Sequence, residues 1–152
     1  MIAYLSGPIE NAHNDGADWR NDITDWLGKE LNHQVFNPVT ETKILTKDLN
    51  TEDFRLMKTT NPKQYKKIIR QIIQVDLNAV VKGSDYLIVN WDESVFKGGG
   101  THGEVTMAYW FNKPIYMVNA IPIEDVSSWI FSCTEYVFSN FDELKNKLKK
   151  IY

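Results

Sequence analysis

The sequence predicts an α/β domain in which five strands, mostly parallel, form the middle of three layers. Three observations predict it. Short apolar runs alternate with helix-period segments along the whole chain. Turn residues such as Gly7-Pro8 and Asn37-Pro38 stop the first two runs abruptly. No internal repeat or linker divides residues 1–152, so one domain is expected.

Ile2-Ala-Tyr-Leu-Ser6 reads as a short buried strand running into the Gly7-Pro8 turn. Trp19, Ile23, Trp26, Leu27 and Leu31 recur at helical spacing and predict a helix over 17–31. Gln34-Val-Phe36 reads as a second short strand. Residues 38–62 scatter Thr, Lys, Asp and Asn without clear periodicity, with one turn of helix around Asp53 to Lys58. A stretch of that length is often functional. From Lys63, the spacing of Tyr65, Ile68, Ile69, Ile72, Ile73 and Val80 predicts a long helix ending near Gly83. Tyr86–Asn90 reads as a central strand, and a glycine loop leads into a helix reaching about Phe111. Pro114–Val118 is the next strand, a turn of helix lies between Pro122 and Phe131, and Tyr136-Val137 is the last strand. Asn140-Phe-Asp-Glu143 opens a terminal helix with acids first and lysines last, matching the helix dipole.

A chain of 152 residues can bury a sizeable core. An apolar content of 43% suits a globular protein, and a net charge of −3 argues against a basic nucleic-acid surface. A small nucleotide stays open, since it needs only a local cation. The single cysteine, Cys133, excludes an internal disulfide and a Cys-rich metal site. His13, His33 and His102 lack ligand spacing, so no metal is expected. The N-terminus turns polar too soon for a signal peptide. No apolar run approaches the roughly 18 residues of a membrane span. A cytoplasmic protein without membrane contact is the expectation.

Lys97-Gly-Gly-Gly-Thr-His-Gly-Glu104 is the most informative segment. Its glycines let a ligand approach the backbone, and the helix start adds free N–H groups and a positive dipole end. A carboxylate there is expected to be ionised and available as a nucleophile. Two readings of Glu104 stand side by side. Thr101-His-Gly-Glu104 fits a capping box. A cap needs no run of glycines, which favours a ligand site touching Gly98, Gly100 and Thr101. Open parallel sheets bind ligands at the carboxyl ends of their strands. The loops 6–18, 91–101 and 119–128 are therefore expected to gather, with Gly7, Pro8 and Ile9 facing Glu104.

Asp76 follows Ile72 and Ile73 at helical spacing, on or beside an apolar face. Burial raises a carboxyl pKa, so Asp76 is a candidate general acid. Its rival reading is an edge residue paired with Lys82. Tyr4 is either core or a hydroxyl for Glu104 or a sugar. Arg20 is either a phosphate grip or half of a surface ion pair. Asp92 is either a ligand contact or a turn residue. His102 sits at an exposed helix start, and Tyr109, Trp110 and Phe111 read as core or oligomer contact.

Taken in order, Tyr4-Leu-Ser-Gly-Pro-Ile9, Asp18-Trp-Arg20, Asp76-Leu-Asn78, Gly100-Thr-x-x-Glu104, Ala108 and Lys113-Pro114 resemble the nucleoside 2-deoxyribosyltransferases. The related 2'-deoxynucleoside 5'-phosphate N-hydrolases share that plan. The resemblance runs from residue 2 to about 118. It implies a flavodoxin-like fold and active sites completed across a homodimer contact. It implies Glu104 as nucleophile on the anomeric carbon, Asp76 as acid for the leaving base, and Tyr4 as the group orienting Glu104. It implies a nucleoside or nucleotide and a free base as partners, no nucleic-acid polymer, and no metal or organic cofactor. Gly98 stands where transferases often carry Asp and the hydrolases tend to carry Ser, so transfer and hydrolysis both stay open. A non-catalytic nucleotide-binding protein is the alternative from another class. Asp125, Ser127 and Ser128 are the candidates for residues supplied to a neighbouring subunit, and residues 38–62 are expected to close over the base.

Overall fold

A computed structural model of the protein describes residues 1–51 and 53–152. Five parallel strands make one sheet: β1 (Ile2–Ser6), β2 (Gln34–Phe36), β3 (Tyr86–Trp91), β4 (Ile115–Asn119) and β5 (Tyr136–Phe138). Their order is β2-β1-β3-β4-β5, and every pairing is parallel, which sharpens "mostly parallel". The helices α1 (Ala17–Leu31), α2 (Pro38–Asp48), α3 (Met57–Thr60), α4 (Pro62–Asn78), α5 (Gly100–Trp110), α6 (Ser128–Cys133) and α7 (Phe141–Ile151) connect them.

Strand side chains alternate between faces, and this divides the core in two. Ala3, Leu5, Tyr86, Ile88, Tyr116 and Val118 pack with Ile23 and Leu27 of α1 and Leu144 and Leu148 of α7. Tyr4, Leu87, Val89, Trp91, Ile115 and Met117 pack on the other face with Val105 and Ala108 of α5 and Ile130 of α6. The three-layer, flavodoxin-like α/β arrangement follows.

Two local expectations need correction. The start of 38–62 is not irregular, since α2 occupies Pro38–Asp48, while the helical turn expected around Asp53 to Lys58 is present as a 3-10 turn at Phe54–Leu56 that leads into α3. Asn37 caps α2, its side chain accepting the Val39 N–H at 3.1 Å, with Pro38 in the first turn. Asn-Pro is therefore a helix start here as well as a strand stop. The long helix also does not run unbroken to Gly83. It changes at Ala79 to a wider turn, Ala79–Gly83.

Parallel sheets place their ligand crevice where the strand order reverses. That point lies between β1, which leads to β2 on one side, and β3, which leads to β4 on the other. Among the described residues no helix is long and apolar enough to cross a membrane.

Candidate active site

A cavity of about 280 Å³ opens at that reversal, beyond the carboxyl ends of β1 and β3. Gly7, Pro8 and Ile9 form one wall, and Gly98, Gly99, Gly100 and Thr101 form another. Glu104 and Asp76 both line it. The remaining wall is α4, whose Tyr65, Ile69, Ile72 and Ile73 lie on the same helical face as Asp76.

Glu104 is buried because of its place in α5. The buried residues of that helix are Thr101, Glu104, Val105 and Ala108, one stripe at helical spacing. Its carboxylate faces β1, where a period of two puts Tyr4 and Ser6 on one side of the strand. Tyr4 donates its hydroxyl to Oε1 at 2.8 Å, and Ser6 donates to Oε2 at 2.5 Å. The capping-box reading fails. The helix begins at Gly100 with Gly99 as its cap and no side-chain cap bond, and the Glu104 oxygens turn to β1. Ser6 was read in the motif but not singled out as a site residue, although its spacing from Tyr4 predicts the shared face.

Burial pushes the Glu104 carboxyl above its usual range, while the hydroxyls of Ser6 and Tyr4 and then the charge of Arg20 pull it back. Burial, and next the Glu104 charge, push the Tyr4 hydroxyl well up, so it stays a donor. Asp76 has the Arg20 charge to hold it down but no hydroxyl donors. Its Oδ1 is buried without a hydrogen-bond partner. Burial first, and the Glu104 charge second, raise it to about 8. A carboxyl without donors holds its proton to higher pH than one that accepts hydrogen bonds. Of the two, Glu104 is the better supported as the anion. The rival pairing of Asp76 with Lys82 does not form.

Arg20 departs from both of its expected roles. It is fully buried. Its Nη2 donates to Gly7 O at 2.9 Å, its Nη1 to Gly16 O at 3.0 Å, to Asp15 O at 3.3 Å and to Pro8 O at 3.4 Å, and its Nε to Leu5 O at 3.4 Å. A guanidinium has five N–H donors. Here the partnered ones are directed at the backbone of β1 and the β1–α1 loop rather than at a phosphate or a surface carboxylate. Burial brings Arg20 down to about 10, which still leaves it charged at neutral pH. The loop needs that pin. Asn14, Asp15 and Gly16 all adopt left-handed φ values, of 49, 52 and 66°. A Cβ on Gly16 would sit 2.5 Å from Arg20 Nη1, and one on Gly7 would sit 3.1 Å from Asn90 O.

Other expected residues stand apart from the cavity. Asp92 caps a 3-10 turn, accepting from Ser94 N at 2.8 Å and from Asn90 Nδ2 at 3.3 Å. Asp125 lines a neighbouring hollow with Glu93, Phe96 and Lys97, so the third loop joins the rim rather than the cavity. Ser127 caps α6, accepting from Ile130 N at 3.3 Å, and Ser128 is its first residue. His102 is half-buried, not exposed, with its ring edge-on to Trp91 at 4.9 Å. Tyr109, Trp110 and Phe111 are exposed and are not core. Among the described residues no group of three or more His, Cys, Asp or Glu gathers as a metal site.

No family model matches the chain, and no curated protein matches it. The fold has a solved counterpart, the CMP N-glycosidase BcmB of Clostridium botulinum. The two share 17% of their residues over 97% of this chain and 98% of that one, with a TM-score of 0.52. The likeness is one of fold.

Proposed function

We propose that this chain cleaves the N-glycosidic bond of a nucleoside or nucleotide through a deoxyribosyl-Glu104 intermediate. One observation carries the reading: Glu104, held by the hydroxyls of Tyr4 and Ser6, faces the same cavity as Asp76, whose carboxyl is pushed up to about 8, by burial first and the Glu104 charge second. In the first step a Glu104 oxygen attacks the anomeric carbon as its bond to the base breaks. Asp76 passes its proton to the leaving base nitrogen. In the second step the Asp76 carboxylate takes a proton from the acceptor, which bonds to the anomeric carbon and frees Glu104. Two displacements retain configuration, the two-carboxylate logic of retaining glycosidases. The route uses no metal or organic cofactor.

Transfer to a second base is the first reading, supported by the motif resemblance. Hydrolysis of a nucleoside monophosphate is the second, favoured by the likeness to a protein described as a CMP N-glycosidase. Chromatography of products from a panel of deoxynucleosides and their monophosphates, with and without a second free base, separates them. An exchanged nucleoside means transfer, and free base with the free sugar, or with the sugar 5'-phosphate from a monophosphate, means hydrolysis. Tight binding of these ligands with no product at high enzyme concentration would mean a non-catalytic binding protein. Asp125, Ser127 and Ser128 are proposed to serve a neighbouring copy's site in a homodimer, which light scattering and mixed-variant complementation test.

A further inference from the structure

The two hydroxyls that hold Glu104 are aimed in different ways. The Ser6 O–H turns about its own bond to suit the acceptor. A phenol O–H lies in the plane of its ring, because the oxygen conjugates with it, so the ring of Tyr4 has to be aimed. That ring is fully buried and donates to Glu104 Oε1 at 2.8 Å. The torsion that sets a tyrosine ring plane has broad wells, so neighbouring atoms decide the plane. β1 gives Tyr4 a register partner on each side, Leu87 of β3 and Phe36 of β2. Leu87 has no flat face to offer. The Phe36 ring lies nearly parallel to that of Tyr4, at 11°, with the centroids 5.2 Å apart. That separation is typical of stacked aromatic pairs. Phe36 is itself anchored. Strand pairing with β1 holds it on one side. On the other, Asn37 and Pro38 start α2 at once, with Asn37 capping the helix. The side chain is partly buried against the core face that α5 covers, outside the lining of the catalytic cavity.

We infer that Phe36 is a positioning residue for the proposed nucleophile, acting through Tyr4: its stacked ring fixes the swing and plane in which the Tyr4 hydroxyl meets Glu104. The inference rests on the proposed role of Glu104 and deepens it, by carrying the support of the carboxylate out to the short edge strand β2. Swing of the Tyr4 side chain would move the phenol oxygen away from Oε1, and rotation of its plane would turn the O–H aside. A flat neighbour opposes both, whereas an aliphatic one of equal volume fills the space without resisting rotation. Loss of the aimed donor removes one of the groups that hold the Glu104 carboxyl down.

The experiment removes the flat ring and keeps the apolar volume. Phe36→Leu and Phe36→Met are made in wild type and in Tyr4→Phe, with Phe36→Tyr as the variant that keeps a ring. Phe36→Met carries the test if Phe36→Leu does not fold. Ser6, Arg20 and Asp76, the other polar groups around Glu104, stay unchanged in every variant. The Glu104 carboxyl is titrated by NMR on protein labelled with 13C at the glutamate carboxyls, its signal assigned by its loss in Glu104→Gln. The pH dependence of kcat and KM is measured on the deoxynucleosides and monophosphates of the product panel. In Phe36→Leu and Phe36→Met the Glu104 titration and the acidic limb of kcat are expected to move together to higher pH. There kcat near pH 6 should fall by about tenfold, the worth of one hydrogen bond, with KM held within about twofold. In the Tyr4→Phe background the same substitutions should add nothing, and Phe36→Tyr should match wild type. An unmoved titration, or an equal shift with and without the Tyr4 hydroxyl, overturns the inference. A moved titration in a protein that releases no base leaves the role of Phe36 standing and removes the glycosidic reading. Base release with an unmoved titration does the reverse.

Discussion

On the β1–α5 wall, Glu104 accepts hydroxyls from Tyr4 and Ser6 and has the buried charge of Arg20 nearby. On the α4 wall, Asp76 stands among isoleucines with one oxygen unpartnered. The same functional group thus meets opposite surroundings within one cavity. An anion supported by donors keeps its charge, and an anion without donors takes up a proton. On the proposed function, the difference would let one small site hold a nucleophile and an acid at the same pH, as pairs of carboxyls with separated pKa values do.

The sharpest way to break this contrast is to neutralise the supported side. Glu104→Gln is expected to lower kcat by roughly 10³-fold or more, since a nucleophile is lost outright. Retained turnover within tenfold would mean that another group attacks. Asp76→Asn is expected to lower kcat by about 10²-fold or more, the usual worth of a positioned acid. Its loss should be greatest for the poorest leaving bases, as a substrate series would read out. In wild type the rate should decline as pH rises through about 8, where Asp76 gives up its proton, and that limb should vanish in Asp76→Asn.

Smaller changes sharpen the comparison. Ser6→Ala removes the first of the donors that hold the Glu104 carboxyl down. Its charged form is then less favoured, so the acidic limb of the pH–rate profile should move to higher pH, with kcat near pH 6 reduced by about tenfold. An unmoved limb would assign Ser6 a packing role. The last effect is on stability. The folded state raises Asp76 to about 8, whereas an unfolded Asp titrates near 4. Between those values the folded chain holds the extra proton, so stability contributed by Asp76 is present below about 4 and is lost as pH rises to about 8. Thermal denaturation across that range should show a flatter slope for Asp76→Asn than for wild type.

The alternation of apolar runs and helical stripes made the sheet and its central strands legible, because buried strands and one-sided helices leave periodic traces. The α2 helix left a weaker one. Its start signal, Asn37-Pro38, serves equally as a stop for β2, and its exposed residues blur the stripe. Glu104 was found through its glycines, and Tyr4, 100 residues away, was expected as its partner and donates to it, whereas the capping-box spacing pointed elsewhere and Ser6, 98 residues away, is brought near only by the fold. Arg20 was misread for a related reason. Its partners are backbone carbonyls, which no side-chain pattern announces. Tyr65, Ile69, Ile72 and Ile73 were legible as an apolar stripe, but the sequence does not distinguish a stripe facing core from one facing a cavity.

The central claim is that Glu104 forms a covalent bond to the sugar as Asp76 gives its proton to the leaving base. Acid quenching during turnover, followed by peptide mass spectrometry, tests it most directly. The predicted result is a deoxyribosyl adduct on the peptide containing Glu104, absent from Glu104→Gln. Base release with no adduct in wild type, or an adduct on any other residue, would contradict the claim.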